Sequence, residues 1–337
     1  MENYDLIIIG GGPSGLISAI EAKKNGVEKV IILDREKELG GALSNCIHSG
    51  FSFDNCKENL TASEYIQLLA DKVMEMGVIV KLNSTVLNLS RDKTLIAVNN
   101  YDGVFEIHGK VIILATGCRE KPIGYKNILG HRSAGIITSI SVLKYINKRG
   151  IMPGREYLIL GSGDTAILTA RTLILEGAKV KSIIESSSEI HALREESKKY
   201  LSDFNIPILY NHRVIEVYGE ARVEGVKVVE VDIYRNTVQG TERYITCDTL
   251  VLSINLYPEN LLGVKIGMEV DEEKSELVVD ENMETSIKGF FACGTVLKGY
   301  DVIENVAMQG KIAGQAAARF IENINNTIKE NNKNHGD

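Results

Sequence analysis

Two glycine-rich turns, Gly-Gly-Gly-Pro-Ser-Gly at Gly10–Gly15 and Gly-Ser-Gly-Asp-Thr-Ala at Gly161–Ala166, are the residues whose types and spacing most directly suggest chemistry. The first follows the apolar run Leu6-Ile7-Ile8-Ile9 and the second follows Tyr157-Leu158-Ile159-Leu160. Each opens a helical pattern, and about 20 residues on an acid closes a second apolar run, Asp34 in one case and Glu185 in the other. Gly10 and Gly161 permit the tight turn, and Gly12 and Gly163 let the backbone approach a pyrophosphate. Gly15 lets the helix pack closely on its strand, while Ala166 makes the second copy a GxGxxA variant. A helix N-terminus then offers N–H groups and a positive dipole end to phosphates, and the acid accepts hydrogen bonds from a ribose diol. One such turn is weak evidence. Two in the same strand–turn–helix setting imply two dinucleotides in one chain and electron traffic between them.

The elements that must hold these turns can be read from the patterning. Strand, turn, helix (about Ser14–Asn25) and strand Val30–Leu33 make a βαβ unit, and a second begins near Glu156, with a helix at about Thr165–Glu176 and a strand at Val180–Ile184. Leu68, Leu69, Val73 and Met76 are spaced for a helix over about Ala62–Met76, which Gly77 stops. The short runs Ile79–Leu82, Thr85–Leu89, Leu95–Asn99, Val104–Ile107 and Val111–Leu114 read as a β-meander. A hairpin-rich stretch at Arg213–Ile245 precedes a strand at Thr249–Ile254, and a last helix is expected over about Val302–Ile321 with Asp301 as its N-cap. The expected class is α/β: two Rossmann-like, three-layer dinucleotide-binding domains, the second inserted into the first. Residues 1–117 with 257–323 form the first, 118–256 the second, and 324–337 a polar, disordered tail.

Composition narrows the function classes. At 337 residues, 44% hydrophobic and 25% charged, the chain resembles an ordinary globular protein with room for two cores. A net charge of −7 without a local Lys/Arg cluster argues against a nucleic-acid partner. No stretch is apolar for long enough to span a bilayer, and the expectation is a cytoplasmic protein. The cysteines (Cys46, Cys56, Cys118, Cys247 and Cys293) show no CxxC spacing and fit reduced thiols; neither they nor the histidines have metal-ligand spacing, so no metal is expected.

Gly40-Gly41, Leu-Ala-Thr-Gly at Leu114–Gly117 and TSIKGFFACGT at Thr285–Thr295 resemble recurring markers of the two-dinucleotide-binding-domain flavoproteins, the superfamily of thioredoxin and glutathione reductases. The similarity extends to about Phe320. It implies FAD at the first turn, held by Gly10, Gly12, Pro13, Ser14 and Gly15, by Asp34 and Arg35, and by Gly41, Ala42 and Cys46. Further contacts would come from Ala115, Thr116 and Gly117, from Gly294 and Thr295, and from Asp301 and Val302. The superfamily usually has Gly-Asp at the late motif, where this chain has Gly294-Thr295, so the ribityl contact would pass to the Thr hydroxyl or a backbone N–H. The second turn would take NAD(H) on Gly161, Gly163, Asp164, Thr165, Ala166 and Glu185. A carboxylate at Glu185 favours a ribose 2′-OH over a 2′-phosphate, and Ser186-Ser187-Ser188 supply no arginine, Arg194 being the nearest. NADH is therefore expected over NADPH.

Where one branch of that superfamily carries a CxxxxC dithiol this chain has Leu43 and His48, and where the other carries CxxC it has residues within Ser133–Thr138, so a disulfide reductase is not expected. GGALSNCIHSGF (Gly40–Phe51), ATGCREKP (Ala115–Pro122), GHRSAGIIT (Gly130–Thr138), LILGSGDTAILTARTLILEGAKV (Leu158–Val180) and LYPENLL (Leu256–Leu262) resemble a non-dithiol branch. That branch includes the alpha subunit of sarcosine oxidase and the small FAD/NAD oxidoreductases associated with glycerol-3-phosphate dehydrogenase. Asn255 stands where relatives often have Gly and reads as neutral. Cys46 and His48 occupy a segment that lies beside the isoalloxazine in the superfamily. His48 would then exchange a proton near flavin N5 and Cys46 contact or modulate it; alternatively both simply pack and hydrogen-bond in a cofactor pocket.

The leading expectation is an FAD-dependent NADH:acceptor oxidoreductase, with hydride passing between NAD(H) and flavin N5. Its electrons would be exchanged with a partner dehydrogenase or electron-transfer subunit, or with a small acceptor. A self-sufficient amine, amino-acid or polyol dehydrogenase and a non-catalytic flavin relay subunit stay open beside it, as does a homo-oligomer.

Overall fold

The computed structural model describes residues 2–52, 59–121, 128–254 and 256–333; Cys56, Pro122, Asn255 and residues 334–337 lie outside them. The chain forms two compact units, one from Met1–Arg119 with Leu256–Asp337 and the other from Glu120–Asn255. Both are α/β units with parallel strands at their centre.

In the first unit, strand Glu2–Ile9 lies between Val30–Leu33 and Gly103–Leu114, parallel to both, and Ile79–Lys81 adds beside Val30–Leu33. Near-continuous apolar runs such as Leu6–Ile9 belong in a sheet covered on both faces, and those four side chains are all buried. The Ile79–Leu82 run expected in the meander is thus a strand of the parallel sheet, while Thr85–Leu89, Thr94–Asn99 and the first half of Gly103–Leu114 do pair antiparallel in sequence. Val104–Ile107 and Val111–Leu114, expected as separate runs, are one strand. Gly109 sits between them where a Cβ would stand 2.9 Å from the Ile7 side chain, so the missing side chain lets the strand pass without a break. The upper half, Ile112–Leu114, also pairs in parallel with Phe290–Ala292.

Helix Ala62–Glu75 starts in a capping box, Thr61 Oγ1 accepting from Glu64 N–H and the Glu64 carboxylate accepting from Thr61 N–H. The first fingerprint helix, Pro13–Lys24, packs against the C-terminal helix, Ile303–Lys333. Gly310 and Gly314 make that crossing possible: Cβ atoms there would lie 2.6 Å from Ser14 O and 2.4 Å from Ser18 O. The polar stretch beyond Asn323, expected as an irregular tail, continues as helix to Lys333. Lys110 Nζ donates to Asn325 Oδ1 and Thr327 Oγ1 to Asn323 O, tertiary and local bonds that override the weak helix propensity of asparagine.

The second unit carries five parallel strands in the order 136–138, 249–252, 156–160, 179–184 and 208–209, with a four-stranded sheet of Leu129–Gly130, His212–Tyr218, Gly225–Glu230 and Arg243–Thr246. The helix Asp164–Leu175 covers the parallel sheet, packed by helices Ser139–Arg149 and Glu195–Asp203. Glu120, nineteen residues before Ser139, serves as the acceptor for the start of Ser139–Arg149, with Ile140 N–H 3.0 Å from its Oε1. Burial pushes the Glu120 carboxyl above its ordinary range against the pull of those donors. Among the described residues no helix is long and apolar enough to cross a membrane, and no cluster of His, Cys, Asp or Glu could hold a metal.

Candidate functional site

The first turn is built by three segments that converge on its glycines. Gly10 (φ +113°) lies where a Cβ would stand 2.2 Å from Ala115 O, so the chain leaving strand Gly103–Leu114 presses directly on it. Gly15 faces the Gly10 carbonyl at 2.0 Å from where its own Cβ would be, and Pro13 opens the helix, where its missing N–H costs no helical bond. Gly40 N–H donates to Gly11 O at 2.8 Å, bringing Gly41 (φ +56°) so close to Gly12 that a Cβ on Gly41 would be 3.1 Å from Gly12 Cα. Arg35 and Ala42 are exposed beside this junction.

Asp34 is the charged member. Its Oδ2 accepts from Gly11 N–H at 2.6 Å and its Oδ1 from Glu36 N–H at 2.8 Å. Burial raises its carboxyl above the ordinary value, and the two backbone donors oppose that rise. Both oxygens therefore have fixed directions.

The late motif closes the same site. Ser14 Oγ donates to Cys293 O at 3.3 Å, and a Cβ on Gly294 would strike Ser14 Oγ at 2.4 Å. Gly117 approaches Thr295, with Oγ1 3.6 Å from where its Cβ would be, and Thr116 Oγ1 donates to Glu259 O at 2.7 Å. Among the backbone N–H groups of the late motif, that of Gly294 is given to Gln309 Oε1 at 2.9 Å. Asp301 does not cap the last helix as expected. The first helical N–H bond runs from Val306 to Val302 O, so Val302 is the flanking residue, and the Asp301 carboxylate instead accepts from Val302 N–H, Asn305 Nδ2 and Gln309 Nε2. Asp301, Gln309 and Gly294 thus form one chain of hydrogen bonds. Gln309 escaped notice in the sequence because its role depends on a partner fifteen residues back, although one turn of helix separates it from Asn305.

Cys46 is half-buried against the core of the first unit, and its N–H donates to Leu43 O. The His48 ring stacks on buried Phe51 with centroids 5.1 Å apart and planes 10° apart, and its Nδ1 lies 3.1 Å from Ser49 O. The stacking and the Ser49 carbonyl together fix the orientation of the His48 ring.

In the second unit, Gly161 (φ +101°) stands as Gly10 does, a Cβ there falling 2.3 Å from Ser253 O. A Cβ on Gly163 would meet nothing within 4 Å, so the turn is open at the position where a phosphate would be approached. Glu185 Oε2 accepts from Ser162 Oγ at 2.7 Å and Oε1 from Ser187 N–H at 3.0 Å. Asp164, expected on the nucleotide, accepts Leu193 N–H and Arg194 N–H at 3.0 and 3.1 Å. Its carboxylate thereby holds the segment after Glu185. Thr165 O accepts from Thr169 Oγ1, and Ala166 N–H donates to Gly163 O at 3.0 Å, so both belong to the first turn of the helix.

The chain is similar to known proteins. The chain is 28% identical to a ferredoxin–NADP reductase of Ignicoccus hospitalis, over 94% of this chain and 98% of that one. It is 27% identical to the glutamate synthase [NADPH] small chain of Escherichia coli, over 94% of this chain and 68% of the relative. The crystal structure of T. acidophilum thioredoxin reductase superposes with a TM-score of 0.76, at 23% identity, covering 95% and 99% of the two chains, which establishes the fold. Residues 4–315 match the model of the pyridine nucleotide-disulphide oxidoreductases, as a family FAD-dependent NAD(P)H oxidoreductases, and the chain belongs to that family.

Proposed function

We propose that the chain is an FAD-dependent NADH:acceptor oxidoreductase, with FAD in the first unit and NADH in the second, that exchanges electrons with a partner dehydrogenase subunit or a small acceptor. The observation that carries this reading is the duplicated pairing of a buried acid with its own glycine turn, Asp34 on Gly11 and Glu185 on Ser162. The residues fit the two nucleotides: among the described residues only Gly41 Cα lies within 4 Å of a Cβ built on Gly12, none does at Gly163, and an oriented carboxylate ends the second strand in each unit. Bound there, a flavin supplies the two-electron chemistry with nicotinamide that no side chain can.

The chain's own share is orientation and charge. Asp34 offers a fixed acceptor to a ribose diol, and the helix Pro13–Lys24 offers its first-turn N–H groups and dipole to phosphates. Asp301 holds the Gln309 amide in one orientation at the start of the C-terminal helix, whose dipole stabilises negative charge placed before it. His48, its ring held against Phe51 and beside Ser49 O, is the side chain offered for proton exchange near flavin N5. Relatives are named for NADP or NADPH, whereas Glu185 and the serines at 186–188 support NADH here.

The acceptor lies outside the chain on this reading. No CxxC exists among the five cysteines, and the motifs from Gly40 to Phe51 and from Leu158 to Val180 support the non-dithiol branch that includes sarcosine oxidase alpha subunits. Two relatives are themselves parts of larger enzymes, the glutamate synthase small chain and a subunit of the alkyl hydroperoxide reductase of Staphylococcus aureus, the latter matched over 54% of its length. Anaerobic titration of the flavin-loaded protein tests the proposal: NADH should bleach the flavin band without added protein, and NADPH should do so at least about tenfold less efficiently. No bleaching by either nucleotide would overturn it, and turnover with a disulfide substrate would overturn the non-dithiol assignment.

A further inference from the structure

After Glu185 the chain turns back over the second fingerprint instead of leaving it. His191 N–H donates to Ser162 Oγ at 2.9 Å, and Leu193 and Arg194 N–H donate to the Asp164 carboxylate. These three backbone bonds bring the His191 ring to the acid: Nε2 lies 3.5 Å from Glu185 Oε1 and 3.3 Å from Ser187 Oγ. The Glu185 side chain is 4% exposed and that of His191 58%, so the carboxylate is covered and the imidazole is the open member of the pair.

We propose that Glu185 and His191 read the 2′ position of the adenine ribose as one unit, the His191 ring setting how strongly Glu185 excludes a 2′-phosphate. The inference rests on the reading of the second turn as the pyridine-nucleotide site. A carboxylate alone repels a phosphate and accepts from a hydroxyl. An imidazole Nε2 3.5 Å away can donate to that carboxylate, which draws on its charge, and can offer the same donor to a phosphate oxygen. Removing the imidazole should therefore lower the tolerance of NADPH, and a permanent cation in its place should raise it.

Stopped-flow reduction of the flavin-loaded full chain by NADPH and by NADH gives the ratio of their kcat/KM values. His191 is anchored through its backbone, so His191→Gln leaves the segment in place, and an unchanged Tm checks this. Expected is a ratio about threefold below wild type in His191→Gln and about tenfold above wild type in His191→Arg. Equal ratios for wild type and His191→Gln, or no increase with arginine, would overturn the pairing while leaving the nucleotide site standing. If neither nucleotide reduces the wild-type flavin, the nucleotide-site reading fails and takes this inference with it.

Discussion

At the head of each fingerprint turn a glycine with positive φ, Gly10 (+113°) or Gly161 (+101°), faces the first carbonyl beyond the neighbouring parallel strand. A Cβ would stand 2.2 Å from Ala115 O in one unit and 2.3 Å from Ser253 O in the other. The next residue differs. In the first unit it is Gly11, whose backbone N–H reaches Asp34; in the second it is Ser162, whose hydroxyl reaches Glu185. A Cβ on Gly11 would lie 2.5 Å from Leu39 Cδ2 and 3.0 Å from Asp34 Oδ2, so a short acid drawn onto the backbone leaves no room for a side chain. Glutamate, one methylene longer, meets the turn from further out, and a hydroxyl fills the gap. The backbone requirement is thus imposed by the third strand, and the side-chain solution follows from the length of the acid.

The largest effect that can break this comparison is at the end of the turn. A methyl on Gly15 would stand 2.0 Å from Gly10 O, whereas Ala166 already carries one. Gly15→Ala should cost about 3 kcal/mol of stability and release flavin, while Ala166→Gly should cost only about 1 kcal/mol. Urea unfolding of both variants measures the asymmetry. Equal penalties would mean that the two helices stand equally far from their turns and that the alanine is an incidental choice.

Asp34→Asn comes next. Asparagine has one acceptor oxygen for the two N–H groups of Gly11 and Glu36, so one buried donor loses its partner at about 1–3 kcal/mol. Burial raises the Asp34 pKa, so the folded state holds its proton more tightly than the unfolded chain does. The resulting contribution to stability is fully present below the unfolded value near 3.8 and is lost as pH rises through the folded value. The gap between wild type and Asp34→Asn should therefore narrow from pH 4 towards neutrality. A gap that widens with pH would show the backbone donors outweighing desolvation.

What was legible in the chain followed from local spacing. Glycines six residues apart or less and an acid closing the next apolar run mark a single strand–turn–helix unit, and the positive-φ glycines stand where the turns need them. What was not legible depends on residues that meet only after folding. Asp301 looked like a helix cap because aspartate before an apolar run usually is one, yet Gln309 and Asn305 draw its carboxylate away. Asp164 could be read as a nucleotide contact, but its bonds to backbone 29 and 30 residues on could not be read. The pair Gly310 and Gly314 was a signal present in the sequence and unread: small residues four apart on a helix mark a close crossing, here against Ser14 and Ser18. The length of the last helix was hidden for a different reason, since asparagine-rich composition gives little helical preference of its own and Lys110 supplies the anchor from a strand.

The smallest effect sharpens the comparison most, because it removes a single oxygen. Ser162 Oγ donates to Glu185 at 2.7 Å and accepts from His191 N–H at 2.9 Å, and nothing in the first turn plays this double part. Ser162→Ala should lower stability by about 1 kcal/mol and raise the KM for NADH about threefold with kcat unchanged, since it loosens both the acid and the returning segment without touching the reacting groups. Ser162→Gly should behave in the same way, which separates loss of the hydroxyl from any effect of the Cβ. The mirror change, Gly11→Ser, should be far more damaging, because its Cβ has Leu39 and Asp34 in its way. If Ser162→Ala left KM unaltered, the hydroxyl would be a packing residue, and the second acid would be held chiefly by Ser187 N–H, with Ser186 Oγ and His191 beside it. The two turns would then differ in sequence at this position while relying on the same device, a backbone N–H donated to a buried carboxylate.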